Sequence, residues 1–242
     1  MREMSLQFCW TGGAGLLIRC DGEALGIDLY FSNSCMTPEG QFKRMIPPPW
    51  EPEKTEVDYL VCSHEHGDHM DTESIPLWLS QNQNRIIAGP DSVTEICKST
   101  VSKKQICSLN RGDTLHLGKF TVKGVFCDHG DLSPDAIGVV VEVLNRRIYF
   151  TGDMTFRRDF AQISGISDVD LLVVPINGKY GNPDAVQAAE MTAILAPRIV
   201  MPCHYWMFME HGGDPASFAK ACKATAPSTE CIISAVGEWQ NL

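Results

Sequence analysis

Between residues 61 and 71 the chain reads VCSHEHGDHMD, which packs His64, His66 and His69 together with Glu65, Asp68 and Asp71 directly behind an apolar run. Imidazole nitrogens and carboxylate oxygens are the usual ligands of zinc and related divalent ions. Crowding that many ionisable groups for any other purpose costs desolvation and repulsion, which argues against a merely solvated polar turn. On a strand the alternate residues His64 and His66 point the same way, and the turn that follows brings Asp68 and His69 around. Three more candidates stand singly at the ends of strand-like runs: His129 in FCDHGD, Asp153 in YFTGDM and His204 in MPCHYW. Brought to one sheet edge, His64, His66, Asp68, His69, His129, Asp153 and His204 are too many donors for one tetrahedral ion. They suit two divalent ions, with Asp153 as the bridge, roughly 3.5 to 4 Å apart.

The order HxHxDH, then a distant His, an Asp and a final His, resembles the signature of the metallo-β-lactamase superfamily across most of the chain. The resemblance implies an α/β fold, a four-layer αβ/βα sandwich. It also implies one ion held by His64, His66 and His129, a second by Asp68, His69 and His204, and Asp153 between them. Asp68 would then be catalytic as well as a ligand, orienting the attacking water or taking its proton. RMIPPP at 44–49, PINGKYGN at 175–182 and PCHYWMFMEHGGDP at 202–215 further resemble the L-ascorbate-6-phosphate lactonase branch, cytoplasmic metal-dependent hydrolases of a phosphorylated sugar lactone. That likeness favours Mn2+, although the ligand types equally admit Zn2+ or iron. Two alternatives stand beside a lactonase: a phosphodiesterase or nuclease using the same two-metal chemistry, and a metal-binding or sensor protein without turnover.

Residues that follow catalytic-edge strands are candidates for substrate contact. They are Asn177, Lys179 and Tyr180 after the run DLLVVPI, and Trp206, Phe208 and His211 after His204. A substrate phosphate would call on Lys179, Arg157 or Arg158. His116, inside DTLHLGKF, reads as an ordinary strand histidine, and Cys62 and Cys203 read as core thiols.

These side chains need a scaffold. Strand signals run through SLQFCWTGG, AGLLIRC, EALGID, EVDYLVCS, RIIAGP, QICSLN, DTLHLG, FTVKGVF, IGVVVEVL, RRIYFTGD, DLLVVPIN, RIVMPCH and ECIIS, with Asp21-Gly22 as a hairpin turn. Helices are expected in MDTESIPLWLS with Asp71 as cap, DSVTEICKSTV with Asp91, NPDAVQAAEMTAIL with Asn182 as cap and Pro183 in the first turn, and DPASFAKAC with Asp214 and Pro215. Residues 31–56, carrying Pro38, Pro47, Pro48, Pro49 and Pro52, form a loop too rich in proline for helix or ladder.

With 242 residues, 44% of them hydrophobic, the chain fits one domain over residues 1–242 that packs two sheets face to face with helices outside. Thirty acidic against 20 basic residues, a net charge of −10, disfavour nucleic-acid and anionic-membrane partners and leave a small-molecule substrate. Neither a secretory leader nor an apolar run of membrane-spanning length is evident. A cytoplasmic protein with all ten cysteines reduced is expected, with a homo-oligomer left open as a partner state.

Overall fold

The computed structural model describes residues 5–242, which form two seven-stranded sheets. In the first, β1 (Leu6–Gly12), β2 (Gly15–Cys20) and β3 (Glu23–Ile27) make an antiparallel meander. Asp21 and Gly22 join β2 to β3, both at positive φ as a type I′ turn requires. The chain then adds β4 (Tyr59–Val61), β5 (Ile86–Gly89) and β6 (Ile106–Ser108) in parallel, crossing over through α1 (Ser74–Ser80) and α2 (Asp91–Cys97).

The second sheet repeats this plan. β7 (Thr114–Leu117), β8 (Phe120–Phe126), β9 (Ile137–Val143) and β10 (Arg146–Phe150) are antiparallel. β11 (Leu171–Pro175), β12 (Ile199–Cys203) and β13 (Glu230–Cys231) follow in parallel, linked through α3 (Phe160–Ser164), α4 (Ala185–Leu195) and α5 (Pro215–Thr225). The C-terminal β14 (Trp239–Asn241) returns to pair with β1 at the edge of the first sheet. Neither β14 nor α3 is expected from the sequence, and of ECIIS only the first part of the run pairs as a strand.

Period-two alternation decides which side chains meet. Phe8 and Trp10 of β1, Leu16 and Ile18 of β2 and Val61 of β4 join Val139, Val141 and Phe150 between the sheets. Their neighbours Cys9, Leu17 and Leu60 face the other way, into a cluster with Ile75 and Trp78 of α1 and Val93 of α2. Both faces of the first sheet are thereby covered. All ten cysteines are unpaired, and Cys62 and Cys203 are buried in these cores as expected. Among the described residues no helix is long and apolar enough to cross a membrane.

Three of the expected helix caps move. Asp184, not Asn182, caps α4: its carboxylate accepts from the Val186 and Gln187 amides while the Gln187 side chain accepts from the Asp184 N–H, a capping box. Asn182 is thereby free to turn inward. Asp91 is the first residue of α2, with Pro90 at the cap, and its carboxylate accepts from Ser108 Oγ and Asn110 Nδ2. Asp71 precedes α1, whose cap residue is Glu73, and ties that turn to the proline-rich loop. Its Oδ1 accepts from the amides of Glu73 and Ser74 at 3.2 Å, and its Oδ2 from those of Phe31 and Ser32 at 2.8 Å. Asp214 with Pro215 caps α5 as expected.

Candidate metal centre

Strands β8, β10, β11 and β12 run in one direction, as do β3 and β4, so their C-terminal ends share one edge of the sandwich. His129, Asp153, Asn177, His204, Asp28 and His64 each lie within a few residues of such an end. Two backbone bonds lock the edges of the sheets together there: the His204 amide donates to Gly13 O at 2.7 Å and the Ile137 amide to Ser63 O at 2.9 Å. Asp28 and His204 hold left-handed backbone conformations, with φ of +49° and +59°, which cost non-glycine residues free energy and cluster at functional sites.

Donor atoms of His64, His66 and His129 lie within 4.8 Å of one another, and so do those of Asp68, His69 and His204. Asp153 sits against the second trio, its Oδ2 3.3 Å from His204 Nε2 and 3.5 Å from His69 Nε2. Asn182 Nδ2 donates to the same Oδ2 at 2.7 Å, which is the task that leaves α4 to be capped by Asp184.

The hydrogen-bond network indicates which ring nitrogens are bare. The Asp28 carboxylate accepts from the Ser63 amide at 2.7 Å, Ser63 Oγ at 2.6 Å and His69 Nδ1 at 2.7 Å. Ser63 spends its one hydroxyl proton there, so its oxygen, 2.9 Å from His64 Nδ1, accepts from that ring. His66 Nε2 donates to Leu132 O at 3.2 Å. What remain are lone pairs on His64 Nε2 and His66 Nδ1, 3.0 Å apart, with His129 Nε2 3.4 Å from the latter; His69 Nε2 lies 3.0 Å from His204 Nε2, where the neighbouring carboxylates favour a proton when no metal is bound. Facing lone pairs repel unless a cation lies among them, so this donor set fits divalent metal. Asp28, His64 and His69 also meet the same distance limit. The Asp28 oxygens are already engaged by three donors, however, so Asp28 supports a ligand rather than acting as one.

Electrostatics agree. Burial holds His64 well below the usual imidazole range. Burial also opposes charge on His69, but Asp153, Asp68 and Asp28 outweigh it and raise its pKa. For Asp68 and Asp153 burial is again overcome, by His69 and His204, and both carboxyls stay ionised far below their ordinary range.

A cleft of about 940 Å³, open solvent included, reaches this cluster between the loop after β3 and the loops after β11 and β12. Of the expected substrate residues, Tyr180 and His211 line it, as does the largely buried Phe208. Asn177 is buried beneath, bridged to Asp184, and Trp206 turns outward with 53% of its surface exposed. Lys179 Nζ donates to Glu210 O; Arg157 pairs with Asp128 and Asp159, and Arg158 with Glu190. None of these cations lines the cleft. The sequence reading does not reach Asp28 and Ser63 or the cleft residues Ser34, Cys35, Phe42, Thr72 and Leu132. Asp28 carried a usable signal, an acid ending the apolar run EALGID like the other strand-end donors. Cys35 is a thiol at the cleft wall, but burial pushes its pKa up to about 11, so it remains protonated.

Removing the Asp28 carboxylate, by Asp28→Ala, frees the His69 ring to rotate and leaves its Nδ1–H without a partner. Metal affinity is expected to fall about 10- to 100-fold, read by competition with a chromophoric chelator. Affinity equal to that of the wild type would remove Asp28 from this role.

Two mixed sheets with helices on their outer faces and a histidine–carboxylate cluster at the shared strand ends define the metallo-β-lactamase fold. The chain belongs to the metallo-β-lactamase superfamily: its residues 7–204 match the Beta-lactamase superfamily domain. A protein of Archaeoglobus fulgidus named as a metal-dependent hydrolase is 28% identical over 227 residues, covering 83% of this chain and 92% of that one. The same fold occurs in a metallo hydrolase of Ignicoccus hospitalis, with a TM-score of 0.78 and 19% identity over 98% of both chains. A possible metal-dependent hydrolase of Veillonella parvula shares it too, with a TM-score of 0.80 and 17% identity over 98% of this chain and 100% of that one.

Proposed function

We propose that this protein is a metal-dependent hydrolase that opens a lactone or related carboxylic ester by attack of water. The observation that carries the reading is the convergence of bare imidazole nitrogens and ionised carboxylates on the floor of one open cleft. His64, His66 and His129 would hold one divalent ion and Asp68, His69 and His204 a second, Mn2+ or Zn2+, with Asp153 between them. Such a pair supplies Lewis acidity toward a carbonyl oxygen and acidifies water near neutral pH.

The chain's own groups do the rest. Asp68 lines the cleft, its Oδ2 3.2 Å from His204 Nε2, and remains a carboxylate; it orients the attacking water and takes its proton. His211 stacks on His204 at 4.5 Å between ring centroids, and its Nδ1 is buried without a partner. The ring also lines the cleft, with its Nε2 3.9 Å from Asp68 Oδ2, and would bond a substrate oxygen from there. Ten unpaired thiols suit a reducing compartment such as the cytoplasm.

The test is steady-state kinetics of the metal-loaded protein on lactones, aryl esters and bis-p-nitrophenyl phosphate, before and after chelation. Lactone or ester opening that disappears with chelator and returns with metal is expected. Asp68→Asn should lower kcat at least about 100-fold with a smaller change in KM. Cleavage of the diester without lactone opening would instead establish a phosphodiesterase, and metal uptake with no turnover a binding protein.

A further inference from the structure

Four rings crowd one wall of the cleft above the histidine cluster. Phe42 approaches Tyr180 at 6.2 Å, Phe208 at 5.8 Å and His211 at 6.4 Å between centroids, and His211 meets Phe208 at 4.8 Å and Tyr180 at 5.9 Å. They come from three separate segments, the proline-rich loop and the loops after β11 and β12, so the wall is built by tertiary structure. Phe42 and Tyr180 both sit in left-handed backbone, with φ of +53° and +55°, a conformation unfavourable for bulky side chains. The loop bearing Phe42 is pinned rather than loose: the Met45 amide donates to Met207 O at 2.8 Å, and Arg44 Nε donates to Ile46 O. Tyr180 nonetheless keeps 46% of its surface, and Leu132 across the cleft 53%, open to solvent.

Charge tells the complementary story. Among the described residues that line the cleft there is no lysine or arginine, whereas Asp68 and Asp153 lie on its floor. A phosphate on the non-reacting end of the substrate would find no cationic side chain there, since the metal centre is taken up by the reacting ester.

We infer that the non-reacting part of the substrate is an uncharged, apolar group of about one ring's size, aromatic or otherwise flat, that packs against Phe42 and Tyr180, which the buried Phe208 backs from the core. This rests on the hydrolase reading of the same cleft and replaces the phosphorylated sugar with a hydrophobic acyl or lactone substituent. Burying one ring is worth about 10- to 100-fold in selectivity.

The experiment compares kcat/KM on γ-phenyl-γ-butyrolactone, unsubstituted γ-butyrolactone and a 6-phosphorylated sugar lactone. The wild type is expected to favour the phenyl lactone over the unsubstituted one by about tenfold or more, and over the phosphorylated one by a wider margin. Tyr180→Ala, at a half-exposed position, should pull the phenyl-to-unsubstituted ratio toward one, chiefly through KM. Leu132→Lys, which adds a cation to the cleft, should raise the relative rate on the phosphorylated lactone. Preference for the phosphorylated lactone, or a ratio indifferent to Tyr180→Ala, overturns the inference. If neither these lactones nor aryl esters turn over, the hydrolase reading fails, and calorimetry on the metal-loaded protein still decides the substituent. Tighter binding of 4-hydroxy-4-phenylbutanoate than of a phosphorylated sugar acid supports the inference, and the reverse order overturns it.

Discussion

Asp153→Ala is expected to lose at least about a thousandfold in kcat/KM, some 4 kcal/mol of transition-state stabilisation, and to retain one divalent ion or fewer per chain. Several features hold this carboxylate in one place. Gly152 precedes it at φ +70°, and a side chain there would meet Ile137 O at 2.8 Å, so the backbone enters the position through a turn that glycine alone suits. Cys127 Sγ donates to Asp153 O at 3.0 Å, and Asn182 Nδ2 holds the carboxylate itself. Alanine removes the carboxylate proposed to bridge the two ions and leaves His69 and His204 facing each other without it. Metal analysis after dialysis, beside initial rates at saturating metal, is the measurement. A variant that keeps two ions and full rate would end the bridging assignment.

Stripping the metal should also destabilise the fold. An ion present at a thousand times its dissociation constant contributes about 4 kcal/mol of folding stability. At roughly 2 to 4 °C per kcal/mol for a chain of this size, loss of two ions lowers the melting temperature by at least about 10 °C. The bare cluster adds to the effect, because the lone pairs of His64 and His66 then oppose each other in a buried site.

The difference should widen with pH above 6.5, the ordinary imidazole value. The folded pKa of His69 is raised by its carboxylate neighbours, so the stability that protonated His69 lends the stripped protein is present below 6.5 and lost as pH climbs through the raised value. In the loaded protein the ligands are already deprotonated, and no such loss occurs. Thermal unfolding with and without chelator at two pH values measures this. A shift under about 2 °C, with removal of metal verified, contradicts a stabilising metal centre of this strength.

The donors were legible in the chain itself because each kind of evidence for them is local. HxHxDH crowds ionisable groups beyond what a solvated turn explains, and His129, Asp153 and His204 each end an apolar run. Strand alternation and turn chemistry, which act over a few residues, likewise located the two halves of the sandwich and the hairpin at Asp21-Gly22.

Tertiary structure decided what depends on partners distant in sequence. Asn182 has the composition of a helix cap, yet a buried carboxylate 29 residues earlier claims its amide, and Asp184 caps α4 instead. Trp239–Asn241 becomes a strand only because the edge of β1 offers unpaired backbone groups. Lys179, Arg157 and Arg158 follow the right strands, but nearby acceptors hold them away from the cleft. The aromatic wall joins Phe42 to residues more than a hundred positions away, which no local pattern can register. The types of the candidate donors and their order along the chain were thus set by sequence, because coordination chemistry constrains residue identity. Which side chains support the ligands, and what the cleft can receive, were set by packing, because those contacts exist only once the two sheets have closed on each other.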